Sequence, residues 1–418
     1  MAGGTSRTIS AADRTTTGAL SRRSLLAASL LGSATALGAC SSRSGSGMDT
    51  GSQLPQGDDL VIGASLELTG SGAIVGVSQR KAVTIAQNKI NSTGVVMGNQ
   101  VRRVQVTIKD NASDPKQAAQ LAKDFANDSR VLAIIGGCTA GTAKAMAPIA
   151  EQQKIPLLAT AFADTILRPI ANRRFVFKLG PNASDVASRL SASVRQQGLA
   201  RVAIVAEVGD HGDTGVAAVT TAANNDRRDL VLTVRVPVGS RDYHAQAEQV
   251  AAARPDAVVI WAVAPTSGLV ARALRTANYA GQMFFDAGAA SEDASAALNR
   301  AAAVNSFLVA PTILAGRPIA VTTPAELDQV DFFEEYTQLY GAFSGVAVYA
   351  ADALNLVVAA AQRGRTAATR LRVRDELEAA PYDGLAGQYI FSTISHGGVQ
   401  PDSLSLFQMR PADWVKVG

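Results

Sequence analysis

From Asp59 onward, short runs of β-branched and aliphatic residues alternate with longer stretches in which apolar positions recur every three or four residues. The first pattern predicts strands and the second predicts amphipathic helices. Residues 60–66, Leu-Val-Ile-Gly-Ala-Ser-Leu, predict a first strand, and a helix follows over about 76–90. A second strand is expected over 101–109. Asp114 and Pro115 then open a helix in which Ala118, Leu121, Ala122 and Phe125 fall at i, i+3, i+4 and i+7. Residues 131–135 are apolar without a break, as a strand covered on both faces requires. A second series begins after Gly180-Pro181-Asn182, with strands expected at 201–206, 230–236 and 257–261, each trailed by a helix-like segment. Such alternation predicts doubly wound parallel sheets, and the length of the chain predicts two of them.

Ligands of open parallel sheets bind outside the carboxyl ends of the strands. The residues just after Leu66, Ile135, Leu158, Ala206, Trp261 and Phe285 are therefore the site candidates. Gly70-Ser71-Gly72-Ala73-Ile74-Val75-Gly76 follows a strand and opens a helix, but three residues separate its second and third glycines where a dinucleotide fingerprint has two. It reads as a tight turn beside a ligand, and no cofactor is expected. Gly136-Gly137-Cys138-Thr139-Ala140-Gly141-Thr142 again links a buried strand to a helix. Its backbone N–H groups and the helix dipole form an anion cradle, or Thr139 simply caps the helix. Cys138 at this helix start has the setting of a low-pKa thiol. It lacks an evident base, and a small buried cysteine is the alternative. The chain has three histidines, and His211, His244 and His396 have no metal-ligand spacing. His211 follows a strand end in Asp210-His211-Gly212-Asp213, and Asp286 follows the next such end; each is a cleft contact or, respectively, a solvated loop residue and a helix cap.

The first forty residues follow a different pattern. Ser21-Arg22-Arg23-Ser24-Leu25-Leu26 leads into an apolar run of thirteen residues, 25–37, ending at Leu37-Gly38-Ala39-Cys40. A bilayer core takes about twenty. The segment resembles a bacterial lipoprotein signal peptide over 1–39, with the thiol of Cys40 as the lipidation site. The paired arginine resembles the twin-arginine export signal, an ordinary basic leader for general export being the alternative. Residues 40–58 are then a lipidated cysteine and a Gly/Ser-rich flexible linker. The expected location is the outer face of the cell membrane, held by lipid.

Composition changes this picture little. Lys and Arg number 39 and Asp and Glu 35; removing Arg7, Arg14, Arg22 and Arg23 with Asp13 leaves 35 and 34. A near-neutral body has no basic stripe for nucleic acid. Of two cysteines, Cys40 is spent on lipid, so Cys138 is left without a disulfide partner.

Several segments read together resemble the branched-chain amino-acid-binding branch of the type I periplasmic binding proteins, the solute receptors of ABC importers. They are Val61-Ile62-Gly63 with Leu68-Thr69-Gly70, Asp110-Asn111-Ala112-Ser113-Asp114-Pro115-Lys116-Gln117-Ala118, Ile134-Ile135-Gly136-Gly137, Ile155-Pro156-Leu157-Leu158 and Tyr382-Asp383-Gly384-Leu385-Ala386-Gly387. The resemblance implies two α/β lobes with doubly wound parallel sheets, 59–180 plus 312–389 and 181–311 plus 390–418, joined by three hinge crossings near Gly180-Pro181, Ala310-Pro311 and Tyr389 to Phe391. It implies that Thr139 with Ala140, and Ala161 with Ala163, hold a ligand carboxylate, that Phe162 shapes the pocket, and that His211, Thr266 and Asp286 contribute from the second lobe. Ala163 stands where the family usually has threonine, His211 where it has tyrosine and Val75 where an aromatic covers the ligand. The family's ammonium-binding acid matches Gly288, two residues from Asp286, and the disulfide partner of some relatives matches Ser113.

These readings converge on a monomeric, lipid-anchored receptor that captures an amino acid or another small carboxylate, presents it to ABC permease subunits and performs no chemistry. The rivals are a sensing module that feeds a signalling partner, a binder of aromatic acids, amides or other polar solutes, and an exported enzyme. The last lacks a Gly-x-Ser-x-Gly elbow and an acid-base pair.

Overall fold

Each apolar run becomes a strand and each amphipathic stretch a helix laid against it. The computed structural model describes residues 56–291, 297–316, 321–365, 368–411 and 413–418, with backbone only at 297 and 298. The paired arginine, Cys40 and the linker as far as residue 55 lie outside the described residues. In chain order the strands are β1 (Leu60–Leu66), β2 (Val95–Met97), β3 (Gln100–Arg102), β4 (Val104–Asp110), β5 (Val131–Gly136), β6 (Leu157–Ala159), β7 (Val176–Lys178), β8 (Arg201–Glu207), β9 (Asp229–Val236), β10 (Ala257–Trp261), β11 (Gln282–Phe285), β12 (Phe307–Pro311), β13 (Tyr382–Asp383), β14 (Gln388–Tyr389), β15 (Leu404–Met409) and β16 (Trp414–Lys416). The helices are α1 (Ala73–Thr93), α2 (Pro115–Asn127), α3 (Ala140–Gln153), α4 (Ala183–Gln196), α5 (Asp210–Asn225), α6 (His244–Ala253), α7 (Thr266–Thr276), α8 (Ala297–Ala303), α9 (Pro324–Tyr340), α10 (Val348–Arg363) and α11 (Arg370–Ala379).

The first sheet has the order β4-β1-β5-β6-β7 and is parallel throughout. The second has the order β16-β15-β12-β11-β10-β8-β9. Its strands β8 to β12 are parallel, while β15 and β16 add an antiparallel edge that the sequence pattern did not announce. Both parallel sets wind outward in both directions from their first strand. The switch points lie between β1 and β5 and between β8 and β10, where successive connections leave toward opposite faces and open a crevice.

Burial on both faces explains the unbroken apolar strands. In the first sheet Ile62, Ala64, Leu66 and Ile135 face one core with Val83 of α1 and Leu354 of α10, whereas Val61 and Ile134 face the other with Phe125 of α2 and Met146 of α3. The strand expected over 101–109 is two strands. Asn91 of α1 donates to the Val104 carbonyl at 2.9 Å and accepts from the Val104 N–H at 2.8 Å. That satisfies the backbone where the chain turns from the β2-β3 hairpin into the main sheet.

The chain passes between the sheets three times: after Lys178, after Pro311, and between Tyr389 and Leu404. The first and third passages lie side by side. Buried Lys178 donates through its ammonium to the carbonyls of Gly180 at 2.7 Å and Pro181 at 2.8 Å, its backbone N–H donates to the His396 carbonyl, and its own carbonyl accepts from Gly398 N–H. Ahead of the third passage, the buried Asp352 carboxylate accepts from Leu385 N–H at 2.6 Å, Ala386 N–H at 2.8 Å and the Tyr389 hydroxyl at 3.1 Å. The Tyr382 to Gly387 string is thereby tied to α10. Among the described residues, no helix is long and apolar enough to cross a membrane, and no group of three or more His, Cys, Asp or Glu is placed to hold a metal ion.

Candidate functional site

The two switch points face each other across a cavity of about 610 Å³. On the first-sheet side, β1 ends at Leu66 and the next residue, Glu67, is fully buried. The turn that follows is laced to the end of β4. Asp110 accepts from Leu68 N–H at 2.9 Å and from the Thr69 hydroxyl at 2.7 Å, and the Ser113 hydroxyl accepts from Gly72 N–H at 3.0 Å. This brings the 70–75 segment to the cavity wall. A Cβ on Gly76 would lie 2.0 Å from the Glu67 carbonyl oxygen, so only glycine lets α1 start against the strand end.

The helix start at Thr139 is not an empty cradle. Both carboxylate oxygens of Glu67 accept from Cys138 N–H at 3.0 Å, and one accepts from Thr139 N–H at 3.4 Å and from the Thr142 hydroxyl. Thr139 caps α3 by accepting from Thr142 N–H at 3.2 Å. An internal carboxylate thus sits where the helix dipole favours an anion. The reading in which a ligand carboxylate takes all of these donors is corrected accordingly. Thr139, Ala140 and Gly141 still line the cavity, but Cys138 N–H and the Thr142 hydroxyl are spent. Cys138 is a free, buried thiol. Burial pushes its pKa well up and the neighbouring Glu67 adds to this, the opposite of the lowering that a bare helix start would produce.

Phe162 and Ala163 line the cavity, whereas Ala161 is fully buried behind them in the α2-α3 core. Ala161, expected at the ligand, does not line the cavity. Phe162 packs edge-on to Tyr349 at 5.5 Å and lies 5.9 Å from the His211 ring. Val75 is buried and lines the same wall.

The second sheet repeats the device. β8 ends at Glu207, whose carboxylate accepts from Val263 N–H at 3.0 Å. Val263 lies two residues beyond β10, as Cys138 lies two beyond β5. A Cβ on Gly212 would lie 1.7 Å from the Glu207 carbonyl oxygen, so α5 starts against its strand end as α1 does. Burial pushes the Glu207 carboxyl up, against the opposing pull of His211 and of Val263 N–H.

His211 and Asp286 form one unit. His211 Nε2 lies 3.0 Å from Asp286 Oδ2, and Asp286 also accepts from Ala262 N–H at 3.0 Å and Gly288 N–H at 3.0 Å. Burial pulls the His211 pKa down, but Asp286 and Glu207 outweigh it and the net direction is up. Asp286 is 1% exposed and stands behind His211, not on the wall. Its acceptors face His211 and two backbone donors, so Asp286, expected to contribute from the second lobe, acts on the wall only through His211. Thr266 starts α7 and lines the cavity. Across the mouth, Lys144 of α3 pairs with Asp210 of α5 at 2.9 Å. The sequence pattern did not single out Glu67 or Glu207. The available signal was an acid closing an apolar strand just before a glycine-bearing helix start.

A family model described as periplasmic binding protein matches residues 59–412. The Leu/Ile/Val-binding protein BraC3 of Rhizobium johnstonii is 26% identical over 215 residues, 51% of this chain and 57% of that protein. The chain thus aligns with little more than half the length of that curated relative. Among solved structures, an extracellular ligand-binding receptor from Rhodopseudomonas palustris superposes with a TM-score of 0.77 at 20% identity, covering 86% of this chain and 99% of that one. A solute-binding protein of an ABC transporter from R. palustris, in complex with benzoate, superposes with a TM-score of 0.73 at 20% identity over 86% and 96%.

Proposed function

Since the chain belongs to the periplasmic binding protein family, on the branch that includes the Leu/Ile/Val-binding proteins, we propose that it is the solute receptor of an ABC importer. In this reading it holds a small carboxylate-bearing metabolite between its two sheets and passes it on unaltered to permease subunits in the membrane. Cys40, acylated after export by the twin-arginine route, anchors a monomer to the outer face of the membrane. The bodies that close on the solute are 59–180 plus 312–389 and 181–311 plus 390–418, turning about the three passages.

The observation that carries this reading is the cavity of about 610 Å³ lined from the carboxyl ends of both parallel sheets. Its size falls within the range of roughly 300 to 1,000 Å³ that encloses a small molecule. A solute that touches both walls binds the shut form better than the open one, and that difference is what drives closure. One similar protein is named a Leu/Ile/Val-binding protein and one structural neighbour is a solute-binding protein in complex with benzoate, so the candidate ligands run from amino acids to aromatic acids. The test is a thermal-shift screen of the full chain against amino acids, aromatic acids, their amides and sugars. A ligand of the folded state raises the melting temperature by mass action. A carboxylate is expected to score above its amide; a shift by sugars alone would overturn the carboxylate reading.

A further inference from the structure

We propose, resting on the reading of the cleft as the site of a small carboxylate, that Glu207 is its cation-binding group and that the solute carries a protonated amine beside its carboxylate. Two strand-end acids approach the cavity, and they differ in what is left of them. Glu67 is spent, because both of its oxygens accept from Cys138 N–H and one also accepts from Thr139 N–H and the Thr142 hydroxyl. Glu207 is 8% exposed and lines the cavity, yet its Oε2 alone accepts a hydrogen bond, from Val263 N–H at 3.0 Å. Oε1 has no partner among the described residues. It is not one of the sealed, partnerless atoms of the core either, so it opens on the cavity.

The surrounding charges point the same way. His211 and Asp286 offset each other at 3.0 Å, Arg235 pairs with Asp213, and Lys144 pairs with Asp210 at 2.9 Å. Among the described residues, Glu207 is left as the lining carboxyl with no ion-pair partner. A largely buried carboxylate is costly until a cation meets it. Burial accordingly pushes this carboxyl up, and an ammonium brought by a solute supplies the charge-assisted partner that its ionised form lacks. The opposite wall suits the other pole. Ala140 and Gly141, the first two residues of α3, line the cavity with N–H groups that precede any intrahelical acceptor, and the positive end of the helix favours an anion. A solute with both charges therefore meets a partner at the end of each sheet. Val75, Phe162 and Leu269 give the wall between them an apolar surface that suits a hydrocarbon side chain.

The test is calorimetric titration of the full chain with L-leucine, its deaminated form 4-methylpentanoate and its decarboxylated form 3-methylbutylamine, and with L-phenylalanine against 3-phenylpropanoate. At least one amino acid is expected to bind about tenfold or more tightly than its deaminated partner. Glu207→Gln keeps an oxygen for Val263 N–H. It is therefore expected to hold the melting temperature, to lose about tenfold or more of the affinity for that amino acid, and to bind the deaminated acid like the parent. Deaminated acids that bind as tightly as both amino acids overturn this proposal and leave the carboxylate reading standing, as does a Glu207→Gln protein that holds the amino acids like the parent. The amine binding as tightly as leucine, and losing that affinity in Glu207→Gln, would uphold the cation site and overturn the carboxylate reading. Failure of all five probes to bind overturns both.

Discussion

Glu67 and Glu207 close the first strands of their sheets, stand at the two switch points, and each accept the N–H two residues past the neighbouring strand. Their surroundings then diverge. Glu67 meets two backbone N–H groups and a hydroxyl and has no exposed surface. Glu207 has one backbone donor and forms part of the cavity wall. The same strand-end acid is a structural plug in one half of the molecule and a cavity-lining group in the other. Repetition of the fold does not repeat the chemistry: the second half presents the less satisfied acid to the cavity.

The largest effect that tests this contrast is on stability. Glu67→Ala leaves Cys138 N–H and Thr139 N–H without an acceptor, while the Thr142 hydroxyl keeps the Thr139 carbonyl; at on the order of 1 to 3 kcal/mol each, the loss in urea unfolding is expected at about 2 kcal/mol or more. Glu207→Ala orphans one donor and is expected to cost about 1 kcal/mol. Equal losses would erase the distinction between plug and wall.

A smaller effect concerns pH. The His211 pKa is raised in the fold by Asp286 and Glu207. Its stabilising contribution is therefore complete below the ordinary histidine value and is lost as pH rises through the higher folded value. The raised carboxyl of Glu207 acts in the same direction, favouring the fold at lower pH. The melting temperature is expected to fall as pH rises above the ordinary histidine value of about 6.5, and His211→Gln should flatten that slope. An unchanged slope in His211→Gln would place the titration elsewhere.

The smallest effect belongs to the Lys144–Asp210 pair, whose side chains are 45% and 31% exposed. Lys144→Ala is expected to change stability by less than about 1 kcal/mol, and the difference should shrink as salt is added. A loss that persists in high salt would mean that the pair holds the mouth by more than charge.

The layered fold was legible because β-branched runs and helical spacing alternate so regularly, and the Asp114 and Thr139 caps were legible because their hydroxyl or carboxylate bonds the next turn. The antiparallel β15-β16 edge was not, since nothing in 404–416 says which strand it will join. The site was half legible. Val75, Thr139, Ala140, Phe162, Ala163, His211 and Thr266 all reach the cavity. What stayed hidden was which polar groups satisfy one another. Glu67 meets Cys138 across 71 residues of chain, and His211 meets Asp286 across 75. Such pairings are set by strand order, not by local pattern, and they decide which donors are left for a ligand.

The most direct test of the account is a crystal structure of the chain grown with the compound that gives the largest melting shift. The account predicts that compound, chemically intact, in the cavity between the sheets, against Phe162, His211 and Thr266. Density for a cleaved or altered compound, or an intact one bound away from the cavity between the sheets, would contradict it.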